Sequence, residues 1–269
     1  MADQVPATLT LEERAARAAS FGRAAAHYDR YRQAPPAAAV DWILPGRVRT
    51  AVDLGAGTGR LSRLLLARAE TVVAVEPDDR MRAVIEAGLP TVRAVAGRGE
   101  SMPLPDASAD AVVASASWHW MDPVPTLHEV ARVLVPGGTL AALWSGPDAE
   151  APFMVQVQEV LTAGNEPLRQ EVARALNERS ARAQALEIPP GLPFDQPEHT
   201  AITWDVALTA DDLVGLLGTF SWVILMEDEA RTRLFDTARR LLRDVLGMEG
   251  DVTVDVGYRA EVFKAHRHR

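Results

Sequence analysis

Cysteine is absent from the sequence of 269 residues. Catalysis by a thiolate, a metal centre with cysteine ligands and a disulfide framework are therefore excluded, and the chain needs no oxidising compartment. Runs of Lys or Arg are absent as well, and the formal net charge is -9. A phosphate-binding surface is therefore not expected, and we predict no nucleic-acid partner.

Long apolar runs are also missing. No stretch reaches the roughly 18 apolar residues of a membrane-spanning helix, and the N-terminal segment carries charged side chains where a secretory leader would be apolar. We therefore predict a soluble, cytoplasmic chain with no membrane partner. His, Asp and Glu residues do not cluster at ligand spacing, so no metal is expected. The G-x-S-x-G elbow of hydrolases and the phosphate-binding P-loop do not occur either.

The most informative stretch runs from residue 51 to residue 65. A short apolar segment ends at Asp53, glycines follow at positions 55, 57 and 59, and leucines then recur at helical spacing. This pattern predicts a strand, a tight turn and a helix. Glycine permits positive φ and close approach of the backbone to a ligand, and the helix N-terminus presents free N–H groups. We therefore expect a ligand with acceptor oxygens here, with a purely structural turn as the alternative.

Two acidic residues flank this turn. Asp53 ends a buried strand, where a charge is unfavourable unless it is hydrogen-bonded; we expect the backbone amides of the turn as its partners and a cationic part of the ligand facing it. Glu76 ends the next strand about twenty residues later, where a carboxylate can accept from both hydroxyls of a ribose. Nicotinamide dinucleotides and S-adenosylmethionine (SAM) both suit this arrangement. The third glycine comes one residue earlier than in the dinucleotide pattern G-x-G-x-x-G, which disfavours the dinucleotide.

Strand and helix patterns alternate from residue 50 onward, which favours an α/β fold with a mainly parallel sheet covered on both faces. Such sheets bind ligands beyond the carboxyl ends of their strands, where the glycine turn and both acidic residues lie. Prolines interrupt residues 146–197, which we interpret as an inserted helical cap. The predicted division of the chain is an N-terminal helical lid (1–48), a ligand-binding core (49–145), the cap (146–197) and C-terminal strands and helices that complete the sheet (198–269).

Several motifs occur in order between residues 21 and 145, namely Tyr28 and Arg32, the turn D-x-G-x-G-x-G, Glu76, the segment 97–106, Trp118-His119-Trp120 and the segment 132–138. With these motifs the chain resembles the class I SAM-dependent methyltransferases, in the type 11 domain branch that includes enzymes similar to trans-aconitate methyltransferases. The resemblance implies a Rossmann-like sheet of seven strands with the last strand antiparallel, SAM as cofactor and S-adenosylhomocysteine (SAH) as product. The cofactor-binding residues that it implies are Tyr28, Arg32, Asp53, Gly55, Ala56, Gly57, Thr58, Glu76, Pro77, Met81, Gly99, Glu100 and Ser115.

The methyl acceptor is expected beside Trp118-His119-Trp120. Aromatic faces stabilise a sulfonium cation and exclude water, so we place Trp118 and Trp120 in the substrate pocket, with a place in the wall of the core as the alternative. His119 is the only candidate general base toward a hydroxyl or amine, with a local structural role as the alternative. Two positions depart from many relatives, which carry Asp, Ser or Thr in place of Arg98 and Gln in place of Ala116.

The predicted function is transfer of a methyl group from SAM to an O-, N- or C-nucleophile of a small molecule. The N-terminal helices and the cap are expected to close over the pocket and to determine the substrate. A non-catalytic SAM- or SAH-binding protein and an NAD-dependent oxidoreductase are the alternatives. Neither the acceptor nor the oligomeric state follows from the sequence.

Overall fold

A seven-stranded sheet forms the centre of the computed structural model, which describes residues 25–162, 186–224 and 226–269. The strand order is β3-β2-β1-β4-β5-β7-β6. β7 is antiparallel to both of its neighbours, whereas β1 to β5 are mutually parallel. The strands are β1 (Val48–Leu54), β2 (Ala69–Val75), β3 (Arg93–Val95), β4 (Ala109–Ser115), β5 (Leu134–Pro147), β6 (Glu198–Thr209) and β7 (Thr253–His266). The predicted α/β fold, with a Rossmann-like sheet of seven strands and an antiparallel last strand, is confirmed.

Helices cover both faces of this sheet. Alternate residues of β1 belong to opposite cores, with Val52 in the cluster that includes Leu127 and Ala51 in the cluster that includes Leu61 and Ile85. Because both faces are covered, the central strands are apolar along most of their length. The described helices are α1 (Ala25–Tyr31), α2 (Ala37–Ile43), α3 (Arg60–Leu65), α4 (Asp79–Gly88), α5 (Pro123–Val133), α6 (Pro152–Thr162), α7 (Ala210–Leu217), α8 (Ser221–Ile224) and α9 (Asp228–Asp244). Across the described ranges, no helix combines the length and apolarity needed to span a bilayer.

The strand order places a ligand crevice at β1. The chain proceeds from β1 outward to β2 and β3, and then returns to the other side of β1 with β4 and β5. The helices that follow β1 and β4 therefore diverge to opposite faces, which opens a crevice beyond the carboxyl ends of these two strands. The glycine turn follows β1 and Trp118-His119-Trp120 follows β4 as a short 3-10 helix, so both motifs lie at this crevice.

The segment that was predicted to be a helical cap is only partly helical where it is described. β5 continues to Pro147, and α6 follows it. Leu186, Ile188 and Phe194 are buried in the core cluster that contains Leu134 and Leu140, and Phe194 forms a β-bridge with Arg267. Apolar burial therefore holds this end of the segment against the sheet, which corrects its interpretation as part of a cap. Residues 163–185 of the predicted cap and residues 1–24 of the predicted lid lie outside the described residues.

The first described helix, α1, contacts a helix from the far end of the chain. His27 Nε2 lies 2.9 Å from the carbonyl oxygen of Gly215 in α7. Gly215 also faces the ring of Tyr31, where a Cβ would lie 2.3 Å from the nearest ring carbon. Glycine is therefore required at position 215 for close packing of the two helices. This contact joins the N-terminal segment to the C-terminal helices beside the crevice.

The packing of α1 on α7 predicts the effect of a small substitution. Alanine normally stabilises a helix interior by about 1 kcal/mol relative to glycine. We expect Gly215→Ala instead to lower the free energy of unfolding by roughly 1–3 kcal/mol, because its methyl group would overlap the Tyr31 ring. Denaturant unfolding followed by tryptophan fluorescence measures the change.

Gly46→Ala is the matched control for this variant. An added Cβ at Gly46 meets no heavy atom within 4 Å, and its backbone is outside the left-handed region. Its unfolding midpoint should stay close to that of the parent chain. A Gly215→Ala variant more stable than the parent would contradict the described contact between α1 and α7.

Candidate functional site

A cavity of about 710 Å³ occupies the crevice at the carboxyl ends of the parallel strands. Its walls include every residue for which a cofactor contact was predicted: Tyr28, Arg32, Asp53, Gly55, Ala56, Gly57, Thr58, Glu76, Pro77, Met81, Gly99, Glu100 and Ser115. His119 and Trp120 also line it. The fold therefore brings together residues that are more than one hundred positions apart in the sequence. In the described ranges, no group of three or more His, Asp or Glu side chains is placed to hold a metal ion.

The three glycines of the turn all have positive φ, but their surroundings differ. A Cβ on Gly55 would lie 2.6 Å from Ser117 Cβ, and a Cβ on Gly59 would lie 3.0 Å from side-chain carbons of Ile85 and Leu89. A Cβ on Gly57 would meet nothing within 4 Å. The outer glycines are therefore needed for packing within the protein, whereas Gly57 leaves space that opens into the cavity.

Glu76 joins the glycine turn to the end of β2. Its carboxylate is nearly buried, with Oε2 accepting from the Gly57 N–H at 2.9 Å and Oε1 accepting from the Asp78 N–H at 3.0 Å. Burial raises the pKa of Glu76 above its ordinary value, and the two backbone donors oppose that shift. A carboxylate oxygen can accept two hydrogen bonds, so each oxygen retains the capacity for one more donor. Asp78, as predicted, caps the next helix by accepting from the Arg80 and Met81 amides.

The hydrogen-bond partner of Asp53 differs from the predicted one. Ser62 Oγ donates to Asp53 Oδ2 at 2.6 Å, and among the described residues Oδ1 has no hydrogen-bond partner although it is buried. The turn amides do not serve Asp53 because Gly55 and Ala56 donate to the carbonyl oxygen of Val75, and Gly57 donates to Glu76. Burial, with a smaller contribution from the neighbouring Glu76 carboxylate, raises the pKa of Asp53 from 3.8 to about 7. The expected partnership with the turn is therefore corrected, and a buried acceptor atom remains at the cavity.

The segment after β3 forms another part of the cavity wall. Glu100 Oε1 accepts from the Asp122 N–H at 2.7 Å, which connects this segment to the start of α5. A Cβ on Gly99 would lie 2.6 Å from Met121 Sδ. Close packing therefore fixes Gly99, and the hydrogen bond fixes Glu100, at the cavity edge where an adenine contact was predicted.

The third part of the cavity is aromatic. Trp144 Nε1 lies 3.1 Å from His119 Nδ1, and both residues line the cavity together with Trp120 and Phe220. Trp118 does not line it: its side chain is only 3% exposed and belongs to the core cluster beneath the sheet. Burial thus corrects the predicted place of Trp118 in the substrate pocket. Trp120 remains there, one residue beyond His119 on the short helix.

Three arginines line the same cavity, namely Arg32, Arg60 and Arg98. Arg32 Nη2 lies 3.4 Å from the carbonyl oxygen of Ser145, and its guanidinium carbon is 5.6 Å from the centre of the Phe220 ring. Arg60, at the start of α3, has its Nε 3.6 Å from Asp29 Oδ1. Burial lowers the pKa of the Arg60 guanidinium, and Asp29 opposes that shift.

Sequence reasoning missed several residues of the cavity wall. Arg60 directly follows the glycine turn, and this position at a helix start was a usable signal. Trp144 lies near His119 because β5 pairs with β4. In this pairing Leu143 is the partner of Ser115, so Trp144 follows next to the segment after β4. Thr219 and Phe220 arrive from the C-terminal region through the packing of α7 on α1. No local pattern marks these last three residues.

Comparison with known proteins finds similarity to methyltransferases. A family described as "Methyltransferase domain" matches residues 52–142, which span the turn, Glu76 and the aromatic segment. An uncharacterised methyltransferase of Mycobacterium tuberculosis is 36% identical over 223 residues, covering 83% of this chain and 85% of the relative.

Solved structures show the same fold. A protein described as a type II methyltransferase from Anaeromyxobacter dehalogenans superposes with a TM-score of 0.58 at 26% identity, over 88% of this chain and 98% of that one. A phosphoethanolamine N-methyltransferase of Haemonchus contortus, solved with SAH, superposes with a TM-score of 0.51 at 15% identity, over 98% of this chain and 62% of that one. The second likeness concerns the fold alone.

The raised pKa of Asp53 predicts a pH dependence of stability. The folded chain binds the Asp53 proton more tightly than the unfolded chain, so this residue favours folding at low pH, and that advantage is lost as the pH rises from 3.8 to about 7. Asp53→Asn should therefore raise the free energy of unfolding at pH 8 by roughly 2 kcal/mol. The rise in the Asp53 pKa alone corresponds to ~4 kcal/mol, but burying the asparagine amide offsets part of that gain. Denaturant unfolding at pH 5 and pH 8 measures both values; an equal effect at the two pH values would contradict the assignment.

Proposed function

Because the chain belongs to the class I SAM-dependent methyltransferase family, we propose that it transfers the methyl group of SAM to a nucleophilic oxygen, nitrogen or carbon of a small molecule. The observation that carries this proposal is one cavity lined by two chemically distinct sets of residues. The first set is the turn with the two buried carboxylates, and the second is His119, Trp120 and Trp144. We place the cofactor at the first set, called the first end, and the methyl acceptor at the second set, called the acceptor end. The cavity volume of about 710 Å³ lies within the range of small-molecule sites.

The residues of the first end suit SAM group by group. Asp53 Oδ1 is a buried acceptor without a partner among the described residues, which fits the ammonium group of the methionine part. Glu76 has two oxygens that can each accept once more, which fits the two hydroxyls of the ribose. The open side of Gly57 allows close approach of the backbone. We assign the remaining predicted contacts to Tyr28, Arg32, Gly55, Ala56, Thr58, Pro77, Met81, Gly99, Glu100 and Ser115.

Bound SAM supplies an electrophilic methyl group to a nucleophile that approaches opposite the sulfur. The residues of the chain contribute orientation and exclusion of water. Trp120 and Trp144 provide aromatic surface at the acceptor end. This set of side chains can surround an acceptor of limited size.

Two observations favour a small acceptor over a macromolecule. Tyr28 and Arg32 enter the cavity wall from the N-terminal segment, and Thr219 and Phe220 enter it from the C-terminal region. These two segments are joined by the contact between α1 and α7, so chain from both ends of the sequence borders the cavity. The net charge of -9 also opposes binding of a nucleic acid.

A transfer assay with radiolabelled methyl-SAM tests the acceptor class. The purified chain is incubated with panels of small metabolites, with unfolded and folded proteins, and with RNA and DNA. We expect transfer above the acceptor-free background only in the small-molecule panels. Labelled protein or nucleic acid would contradict the proposal, and SAH binding without any transfer would favour a non-catalytic binding protein.

The space beside Gly57 predicts a selective loss of cofactor binding. In Gly57→Ala the methyl group would enter the cavity, so SAH affinity measured by calorimetry should fall at least ~10-fold, or about 1.4 kcal/mol.

Gly250→Ala controls for backbone strain. Gly250 has φ of +61°, close to the +57° of Gly57, and its added Cβ also meets nothing within 4 Å, but it lies outside the cavity lining. Both variants carry the same penalty of about 1–2 kcal/mol for alanine in the left-handed region. Equal SAH affinity in the two variants would contradict the place of Gly57 in the cofactor site.

A further inference from the structure

The contact between Trp144 and His119 determines which nitrogen of the histidine ring carries the proton. The Trp144 indole N–H can only donate, so His119 Nδ1 must accept. In a neutral imidazole one nitrogen accepts and the other carries hydrogen. The neutral His119 ring is therefore the tautomer with the proton on Nε2.

The surroundings hold this pair in place. Trp144 belongs to β5, and its ring packs edge-on against Phe263 of β7 with the ring centres 6.0 Å apart. His119 packs against Trp120 with ring centres 4.4 Å apart. Neighbouring rings thus restrict both the indole and the imidazole. Both residues line the acceptor end of the cavity.

We propose that His119 binds the methyl acceptor as a hydrogen-bond donor through Nε2–H, and that Trp144 is a positioning residue that fixes the tautomer. A general base needs an available lone pair on the imidazole, and the lone pair of this tautomer is on Nδ1, where Trp144 donates. The donor role replaces the base role that was predicted for His119 from the sequence. The proposal rests on the methyltransferase function above, because it concerns the acceptor of that reaction.

This assignment defines the chemistry of the acceptor. The acceptor carries an oxygen or nitrogen lone pair that receives the Nε2–H, next to the atom that is methylated. The nucleophile forms its bond to the methyl carbon while the bond from sulfur to that carbon breaks, and the electron pair of the broken bond stays on sulfur. Any proton on the nucleophile leaves to water or buffer rather than to His119.

Nitrogen NMR on the full chain labelled with ¹⁵N-histidine tests the tautomer directly. The sequence has six histidines, and the signals that His119→Gln removes assign His119. At pH 8, above the ordinary histidine pKa of about 6.5, we expect proton-bearing Nε2 and unprotonated Nδ1 in the parent chain with SAH added. Trp144→Phe should shift this signal toward a mixture of tautomers. A proton on Nδ1 in the parent chain, or an unchanged signal in Trp144→Phe, would overturn the proposal.

Trp204→Phe is the control for the aromatic substitution. Trp204 packs against Tyr258, with ring centres 5.4 Å apart, and does not line the cavity. Its loss should leave the His119 signal in place. A control variant that shifts the signal as strongly as Trp144→Phe would contradict a specific role for the Trp144 N–H.

Methyl transfer to an acceptor from the panels separates a donor from a base. The side-chain amide of His119→Gln can donate from about the position of Nε2–H but cannot act as a base, whereas His119→Ala can do neither. A donor role predicts kcat/KM of the Gln variant within roughly tenfold of the parent and a clearly larger loss for Ala; a base role predicts equal losses of ~10²–10⁴. SAH affinity should be unchanged in both variants. If the proposed function is wrong, the parent chain will transfer no methyl group to any acceptor. The NMR experiment does not depend on transfer, so it tests the His119 tautomer separately.

Discussion

The hydrogen bond from the Gly57 amide to Glu76 fixes the relation between the turn after β1 and the end of β2. It anchors the turn at Gly57, the point where the backbone opens to the cavity. The same carboxylate also accepts from Asp78, where α4 begins, so one side chain positions two consecutive strand ends. The proposed cofactor site is therefore a consequence of how two parallel strands end.

That arrangement places two buried carboxylates near each other. Burial raises the pKa of both Asp53 and Glu76, and the negative charge of Glu76 contributes to the shift of Asp53. Ser62 and two backbone amides compensate only part of this unfavourable burial. A ligand with a cationic group and a pair of hydroxyls would satisfy the remaining acceptor capacity. The residues that suit SAM are thus the residues that oppose folding in its absence at neutral pH.

Much of this structure could be predicted from the sequence because its signals are local. Apolar strands, the alternating glycines and the cap at Asp78 each depend on a few neighbouring residues, and the structure confirms the fold that they imply. Trp118 and Trp120 could not be distinguished in this way, since only the packing of the short helix places one in the core and the other at the cavity. Trp144 and Phe220 enter the site through strand pairing and helix packing over long sequence distances. Residues 186–194 were misassigned for a similar reason, because their partners in the core lie on distant strands.

The aromatic end and the carboxylate end of the cavity are built on adjacent strands of one sheet. β4 lies between β1 and β5, so the turn, the short helix and Trp144 come from three neighbouring strand ends. The acceptor end is also bordered by segments from both ends of the chain, held together by the contact between His27 and Gly215. In the proposed function, strand ends therefore position the cofactor, and segments from both ends of the chain border the acceptor.

In the proposed cofactor site, a buried, partly protonated Asp53 faces the cation of the cofactor. Calorimetric titration of SAH at pH 7, in two buffers of different ionisation enthalpy, measures the protons released on binding. With an Asp53 pKa of about 7, we expect release of roughly half a proton by the parent chain and none by Asp53→Asn. The same binding enthalpy in both buffers for the parent chain would contradict it.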